Sequence, residues 1–300
     1  MKVVFCLEPF EINKVDLCYE NEADQAKNIG FNIEVIDFEA LARDENAVRS
    51  TRFIKPFENL EKAIYRGWML KPEIYSKLYQ ALLDKNLELI NSPEEYKNCH
   101  YLSQCYKFIE KHTPKTVFLN VDEDFSLEKV FERIAVFGDQ PLILKDFVKS
   151  RKHEWNEACF IPNASNHERV RQIVEKFFEL QGEDLNEGLA FREFVNFKSL
   201  TTHSKSGMPL TKEFRLFFLN GQEIFSSEYW EEGNYEDLEI PHEFFREIAK
   251  NVGSNFFTMD VAQKENGDWL IIELGDGQVS GLPEKAEIDM FYQGLFHNLF

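Results

Sequence analysis

The sequence predicts an α/β protein of two domains, on three observations. Over residues 1–112 short apolar runs alternate with helical stretches, the pattern of a small parallel sheet with helices between its strands. A length of 300 residues with 43% hydrophobic content supplies enough apolar surface for two cores, and 29 Phe make those cores aromatic. Further along, Asn220-Gly221 and Asn266-Gly267 each separate two apolar runs, and Asn and Gly tolerate the positive φ of tight hairpin turns.

Taken in order, residues 2–7 read as a buried strand and the polar stretch to residue 27 as a helix that stops near Gly30. Residues 31–38 and 60–65 read as the second and third strands. Pro72 opens a helix at its favoured first turn, residues 87–90 form a short strand, and Pro93 opens one long helix through EEYKNCHYLSQCYKFIEKH. The run His112-Thr113-Pro114-Lys115 marks the boundary between a first domain, 1–112, and a second, 113–300. Residues 116–120 restart as a strand, Ser126 caps a helix to residue 137, and PLILKDF, 141–147, is another strand. An amphipathic helix over 165–180 precedes LAFREFVNFK, which opens the last portion, so the second domain divides into 113–187 and 188–300. A polar linker over 200–212 leads to a hairpin around Asn220-Gly221, a helix over 241–252, a hairpin around Asn266-Gly267 and a closing amphipathic helix.

The balance of charge excludes some partners. A net charge of −19 argues against a general nucleic-acid binder, because phosphate backbones need clustered Lys and Arg. Five cysteines, at 6, 18, 99, 105 and 159, contain no CxxC pair and fit reduced thiols in a cytoplasmic protein. No window approaches about 18 uninterrupted apolar residues, so no membrane span is expected.

The chemistry gathers in residues 256–283, FFTMDVAQKENGDWLIIELGDGQVSGLP. Its two flanking runs are apolar enough to be buried strands, yet each carries one acid, Asp260 and Glu273. Asp260 lies six residues before Asn266 and Glu273 six after Gly267, so pairing back from the turn sets them face to face. Adjacent carboxylates repel unless a cation lies between them, and hard oxygens of this kind suit Mg²⁺ with its waters and substrate phosphates. Asp276 or Gln278 in the glycine-rich continuation supplies a further oxygen. The plainer reading is a charged hairpin whose acids pair with Lys or Arg.

Six cationic residues stand out upstream. Arg66, at the end of the third strand and followed by glycine, is placed to clamp a carboxylate or phosphate, unless it only stacks on Trp68. Lys145 interrupts an apolar strand and wants an anion, or else faces solvent from an edge strand. Lys149 and Lys152 belong to a basic cluster that is otherwise a solvated face. Glu213 and Arg215, two apart, project to one face of their strand, whereas Arg192 and Glu193 alternate and cannot both face one pocket.

In order and spacing these stretches resemble the ATP-grasp superfamily, and RGWM (66–69) with NSPEEYKNCHYL (91–102) resembles its R2K clade. The resemblance covers most of the chain and implies an α+β ATP-grasp fold behind an N-terminal Rossmann-like pre-ATP-grasp domain, using ATP and Mg²⁺. It implies that Asp260, Glu273 and Asp276 hold the metal, with Gly275 at the position where the family carries Asn. It further implies that Lys145 and Arg215 contact phosphates, that Lys149 and Lys152 lie in a phosphate-covering loop, here without glycines, and that Glu193 and Val195 flank the adenine. Glu213 then reaches the ribose, and Arg66 and Arg192 hold the acidic substrate. The activity implied is ligation of a carboxylate, on a small molecule or a peptide, to an amine co-substrate through an acyl phosphate. An ATP-binding module without turnover and a kinase on the same fold are the alternatives.

Overall fold

The computed structural model describes residues 1–9, 11, 14–202, 209–235 and 238–299, so the middle of the predicted polar linker lies outside the described residues. The first sheet is parallel, as the alternation predicts. It contains β1 (Lys2–Cys6), β2 (Asn32–Ile36), β3 (Glu61–Arg66) and β4 (Leu87–Leu89) in the order β2-β1-β3-β4. Between the strands run α1 (Glu20–Ile29), α2 (Phe38–Ala42), α3 (Ala47–Ser50) and α4 (Pro72–Leu83). Gly30 ends α1 in the left-handed region at φ +114°, the C-terminal stop that its position predicts. The single helix expected after Pro93 is two, α5 (Pro93–His100) and α6 (Leu102–Ile109), because Tyr101 turns extended at φ −99° and ψ 117°. A capping box between Ser92 and Glu95 starts α5.

A second sheet, antiparallel, holds β5 (Thr116–Asn120), β6 (Leu142–Asp146), β7 (Phe160–Ile161) and β8 (Gly188–Glu193) in the order β5-β8-β6-β7. Two helices cover it, α7 (Leu127–Ile134) and α8 (His167–Gln181), with Leu142, Leu144, Leu189 and Phe191 turned toward Val130, Ile134, Val170 and Phe177. Part of the stretch read as a linker is itself a short hairpin, β9 (Ser199–Thr202) and β10 (Pro209–Thr211).

The last sheet contains β11 (Glu213–Leu219), β12 (Gln222–Glu228), β13 (Phe256–Gln263) and β14 (Trp269–Asp276) in the order β12-β11-β13-β14, with α9 (His242–Ala249) and the closing α10 (Ile288–Leu299). Both of its faces are buried, which is why its strands are so rich in Phe. One face packs Phe214, Leu216, Phe218, Met259 and Val261 under α6 and α9. On the other face Phe217, Leu219 and Phe256 join Val3, Phe5 and Ile64 of the first sheet and Phe291, Tyr292 and Leu295 of α10 in one cluster. The first and last sheets therefore share a core. No helix among the described residues is long and apolar enough to cross a membrane.

Candidate active site

The acids of β13 and β14 face one another: Asp260 pairs with Glu273 across the antiparallel ladder. They reach that pairing through two offsetting irregularities. Near the turn Gln263 pairs with Trp269, a loop one residue longer than the symmetric turn assumed from sequence, and a β-bulge between Val261 and Asp260 leaves Ile272 without a partner and restores the register. Each acid is held by a cation from another strand. Arg215, opposite Asp260 on β11, donates to both carboxylate oxygens, Nε to Oδ1 at 2.8 Å and Nη2 to Oδ2 at 2.7 Å. Lys145 crosses from the second sheet and places Nζ 2.5 Å from Glu273 Oε1. Burial pushes the Glu273 carboxyl up, but Lys145, Lys152 and Arg192 outweigh it and hold its pKa at about 2.

Lys145, Lys152, Arg192 and Glu273 border a cavity of about 540 Å³ between the second and last sheets, whose lining does not include Asp260 or Arg215. Its charged lining includes Lys145, Lys149, Lys152 and Glu273, and its apolar lining Ile143, Phe194, Val195 and Leu210. Asp146 organises the loop that follows Lys145: its Oδ1 accepts from the backbone N–H groups of Val148 and Lys149, and its Oδ2 from Gln181 and Asn186. The loop then forms a single π-type turn at Trp155–Cys159, with Trp155 stacked on Phe160 at 5.3 Å and edge-on to Phe194 at 6.2 Å. Glu213 also lines the cavity, buried, and its Oε2 accepts from the Trp230 indole N–H at 3.1 Å. Burial raises the Glu213 carboxyl to a pKa of about 7 despite Lys152.

Three expectations change on contact with this geometry. Arg66 is 1% exposed and its donors are spent, Nε and Nη2 on Glu22 and Nη1 on the carbonyls of Gly277 and Ser280, so it has no hand free for a substrate. Asp276 is fully buried and three residues from Glu273, hence on the opposite side of β14. Asn91 Nδ2 donates to its Oδ2 at 2.5 Å and the Gln278 backbone N–H to its Oδ1 at 2.9 Å. Burial lifts its pKa to about 7, and it does not join Asp260 and Glu273. Gln278 cannot replace it, since its amide bonds the Tyr65 N–H and the Tyr75 hydroxyl. Arg192, 8% exposed, borders the cavity but donates from Nη1 to the Ile272 carbonyl and from Nη2 to Thr113 Oγ1 and the Ile271 carbonyl. Glu193 borders it too, although the two alternate, because β8 ends there.

Gly275 sits on the Glu273 face one rung on, opposite Thr258. A Cβ there would lie 2.7 Å from Ser280 Oγ and 2.8 Å from Thr258 Oγ1, so a side chain at this position would have to displace both hydroxyls. The donor set is two carboxylates, with no group of three potential ligands among the described residues. Two carboxylates fit Mg²⁺, which is commonly held by one or two plus waters and substrate phosphates. Sequence reading passed over Asp146, Thr113, Trp155 and Trp230. Of these only Asp146, an acid directly after a strand-end lysine, carried a signal.

A model of the ATP-grasp domain, R2K clade family 3, matches residues 136–295, more than half of the chain. The chain belongs to that family. Solved structures carry the same fold over its whole length. The ATP-grasp ligase PsnB, complexed with a precursor variant, Mg and ADP, aligns with a TM-score of 0.60 at 13% identity over 100% of this chain and 99% of PsnB. The RimK domain ATP-grasp protein from Sphaerobacter thermophilus DSM 20745 aligns with a TM-score of 0.60 at 13% identity over 99% of both chains. D-cycloserine synthetase DcsG aligns at 0.57 and 13% identity over 100% of both. No curated protein matches by sequence. In this R2K-clade ATP-grasp protein the cavity lies between two sheets whose strands, β5 apart, fall within the matched residues.

Proposed function

We propose that this ATP-grasp protein is an ATP- and Mg²⁺-dependent ligase that joins a carboxylate to an amine. The observation that carries the reading is the Asp260–Glu273 pair lying under Lys145 and Arg215, which come from two different sheets. Asp260 and Glu273 would hold Mg²⁺, which when bound neutralises phosphate charge. Lys145 and Arg215 carry the positive charge that phosphates need, and Lys149 and Lys152 add to it from the covering loop. Glu193, Phe194 and Val195 offer the adenine an apolar slot with backbone hydrogen-bonding groups beside it.

The chemistry then needs positioning more than covalent help. A substrate carboxylate oxygen attacks the γ-phosphorus, ADP leaves, and the acyl phosphate forms. The amine nitrogen attacks the acyl carbon, inorganic phosphate departs, and the nitrogen loses a proton. Solved neighbours include a macrocyclase, MdnC from Microcystis aeruginosa MRC, bound with the precursor peptide MdnA, and D-cycloserine synthetase DcsG. Peptides and small molecules are therefore both substrate classes to test here. Five free cysteines, four of them buried, support a reducing, cytoplasmic setting.

The test is ADP release with MgATP against a panel of carboxylates and amines. Glu273→Gln is expected to cut turnover by about a hundredfold or more, with the fold intact by circular dichroism. Unchanged ATP consumption in that variant would sink the assignment. A second reading, an ATP-binding module without turnover, is favoured by Gly275 standing where the resemblance places the family's Asn. Nucleotide binding with no turnover on any pair would support it.

A further inference from the structure

Arg192 touches neither Asp260 nor Glu273 through any bond described above, yet its contacts fall on the two residues that precede Glu273. Successive carbonyls along a regular strand point to opposite sides, so one guanidinium does not ordinarily collect two in a row. Here it does: Nη1 takes the Ile272 carbonyl and Nη2 the Ile271 carbonyl, with Thr113 Oγ1 donating to the latter at 2.8 Å. The bulge at Ile272 is what brings both oxygens to one side. β14 is an edge strand, so these carbonyls have no ladder partner on that side. Arg192 and Thr113 supply one.

The bulge decides which way Glu273 points. Ile271 and Leu274, three residues apart, both pack into the core under α6 and α9, which a strand of period two does not allow without an inserted residue. Were the pairing of Gln263 with Trp269 and Val261 with Ile271 to continue without the bulge, Asp260 would meet Ile272. Glu273 would then fall opposite Met259, on the core face. One slipped residue would dismantle the acid pair.

We infer that Arg192 is a positioning residue: it clamps the Ile271–Ile272 bulge and thereby fixes Glu273 opposite Asp260 and beneath Lys145. Its Nε is buried without a hydrogen-bond partner among the described residues, so the carbonyl clamp holds the guanidinium at the cost of one unsatisfied donor. Because Arg192 comes from β8 and the bulge from β14, the same clamp ties the second sheet to the last at the floor of the cavity. This rests on the reading of Asp260 and Glu273 as the magnesium-holding acids.

The test titrates Mg²⁺ against thermal stabilisation of the full chain by a non-hydrolysable ATP analogue, with kcat and the KM for Mg²⁺ measured alongside. Arg192→Met is expected to raise the half-saturating Mg²⁺ concentration by about tenfold or more, as loss of an outer support does at other metal sites. The analogue's affinity without Mg²⁺ should stay near wild type. Thr113→Val, which leaves the arginine in place, should shift the midpoint the same way by less. If Arg192→Met does not fold, Arg192→Lys carries the test, with a midpoint between wild type and Glu273→Gln expected. A lowered melting temperature with an unmoved Mg²⁺ midpoint in the folded variants overturns the inference. If Glu273→Gln abolishes the Mg²⁺ response while the Arg192 variants keep it, this proposal alone fails. If Glu273→Gln leaves the response intact, the metal reading fails and takes this one with it.

Discussion

Glu213 shows what a single buried acid does to the pH response of the whole chain. Its folded pKa of about 7 lies above the ordinary glutamate value of 4.5, chiefly through burial. Below the ordinary value both folded and unfolded states hold the proton and burial costs nothing. As pH rises toward 7 the unfolded state ionises first, and stability falls by up to about 3 kcal/mol through this one group. Glu213→Gln removes that slope, so the variant's melting temperature should gain on wild type between pH 5 and pH 8. A constant difference across that range would contradict the shift. Lys145→Met is expected to weaken ATP-analogue binding by about tenfold or more, read by calorimetry, since it removes a positive charge from the lining of the cavity. Lys145 was legible because a lysine inside an apolar strand is costly without an anion. Arg66 was misread for the converse reason: its partner Glu22 lies 44 residues away in sequence, and nothing local marks an arginine as already occupied.

At the level of elements, the sequence was most readable where a backbone constraint left a chemical mark. Pro72 and Pro93 begin helices, Gly30 ends one, and Ser126 caps another through its side chain to the Lys129 N–H. The break at Tyr101 carried no such mark, having neither proline nor glycine. The facing of Asp260 and Glu273 followed from counting back from the turn, yet the count succeeded only because the longer loop and the bulge offset each other. Asp276 was misassigned because the strand's side alternation was not carried past Glu273. One contact between elements makes a sharp test. Gly294 of α10 lies so close to β12 that a Cβ would stand 2.3 Å from the Ile224 carbonyl oxygen. Gly294→Ala should therefore destabilise the protein by about 1–3 kcal/mol in denaturant unfolding, with α10 displaced from the sheet. An unchanged midpoint would mean that the helix slides freely.

For the molecule as a whole, two domains drawn from composition conceal a shared interior. Arg66 and Glu22 of the first sheet's layer are joined by Tyr292, whose hydroxyl donates to Glu22 at 2.9 Å, and by the Gly277 and Ser280 carbonyls. Val3, Phe5 and Ile64 pack with Phe217, Phe256 and Phe291 around the same point. Arg66→Met strands a buried carboxylate and should cost about 3–5 kcal/mol. The loss should appear in a single calorimetric transition for the full chain. Two separated transitions in the wild type would show that residues 1–112 melt on their own. The same closeness limits how the molecule opens. The second sheet is joined to the rest by Lys145, Arg192 and Thr113, and also by the Leu102 N–H to Phe147 carbonyl bond and the Lys97–Glu187 ion pair.

Two of the four tryptophans, Trp155 and Trp230, border the cavity, one stacked on Phe160 and the other hydrogen-bonded to Glu213. The chain thus carries a built-in optical reporter. Quenching or a spectral shift of its intrinsic emission on adding nucleotide, blunted in Trp155→Phe, would let occupancy be followed in real time with no label attached.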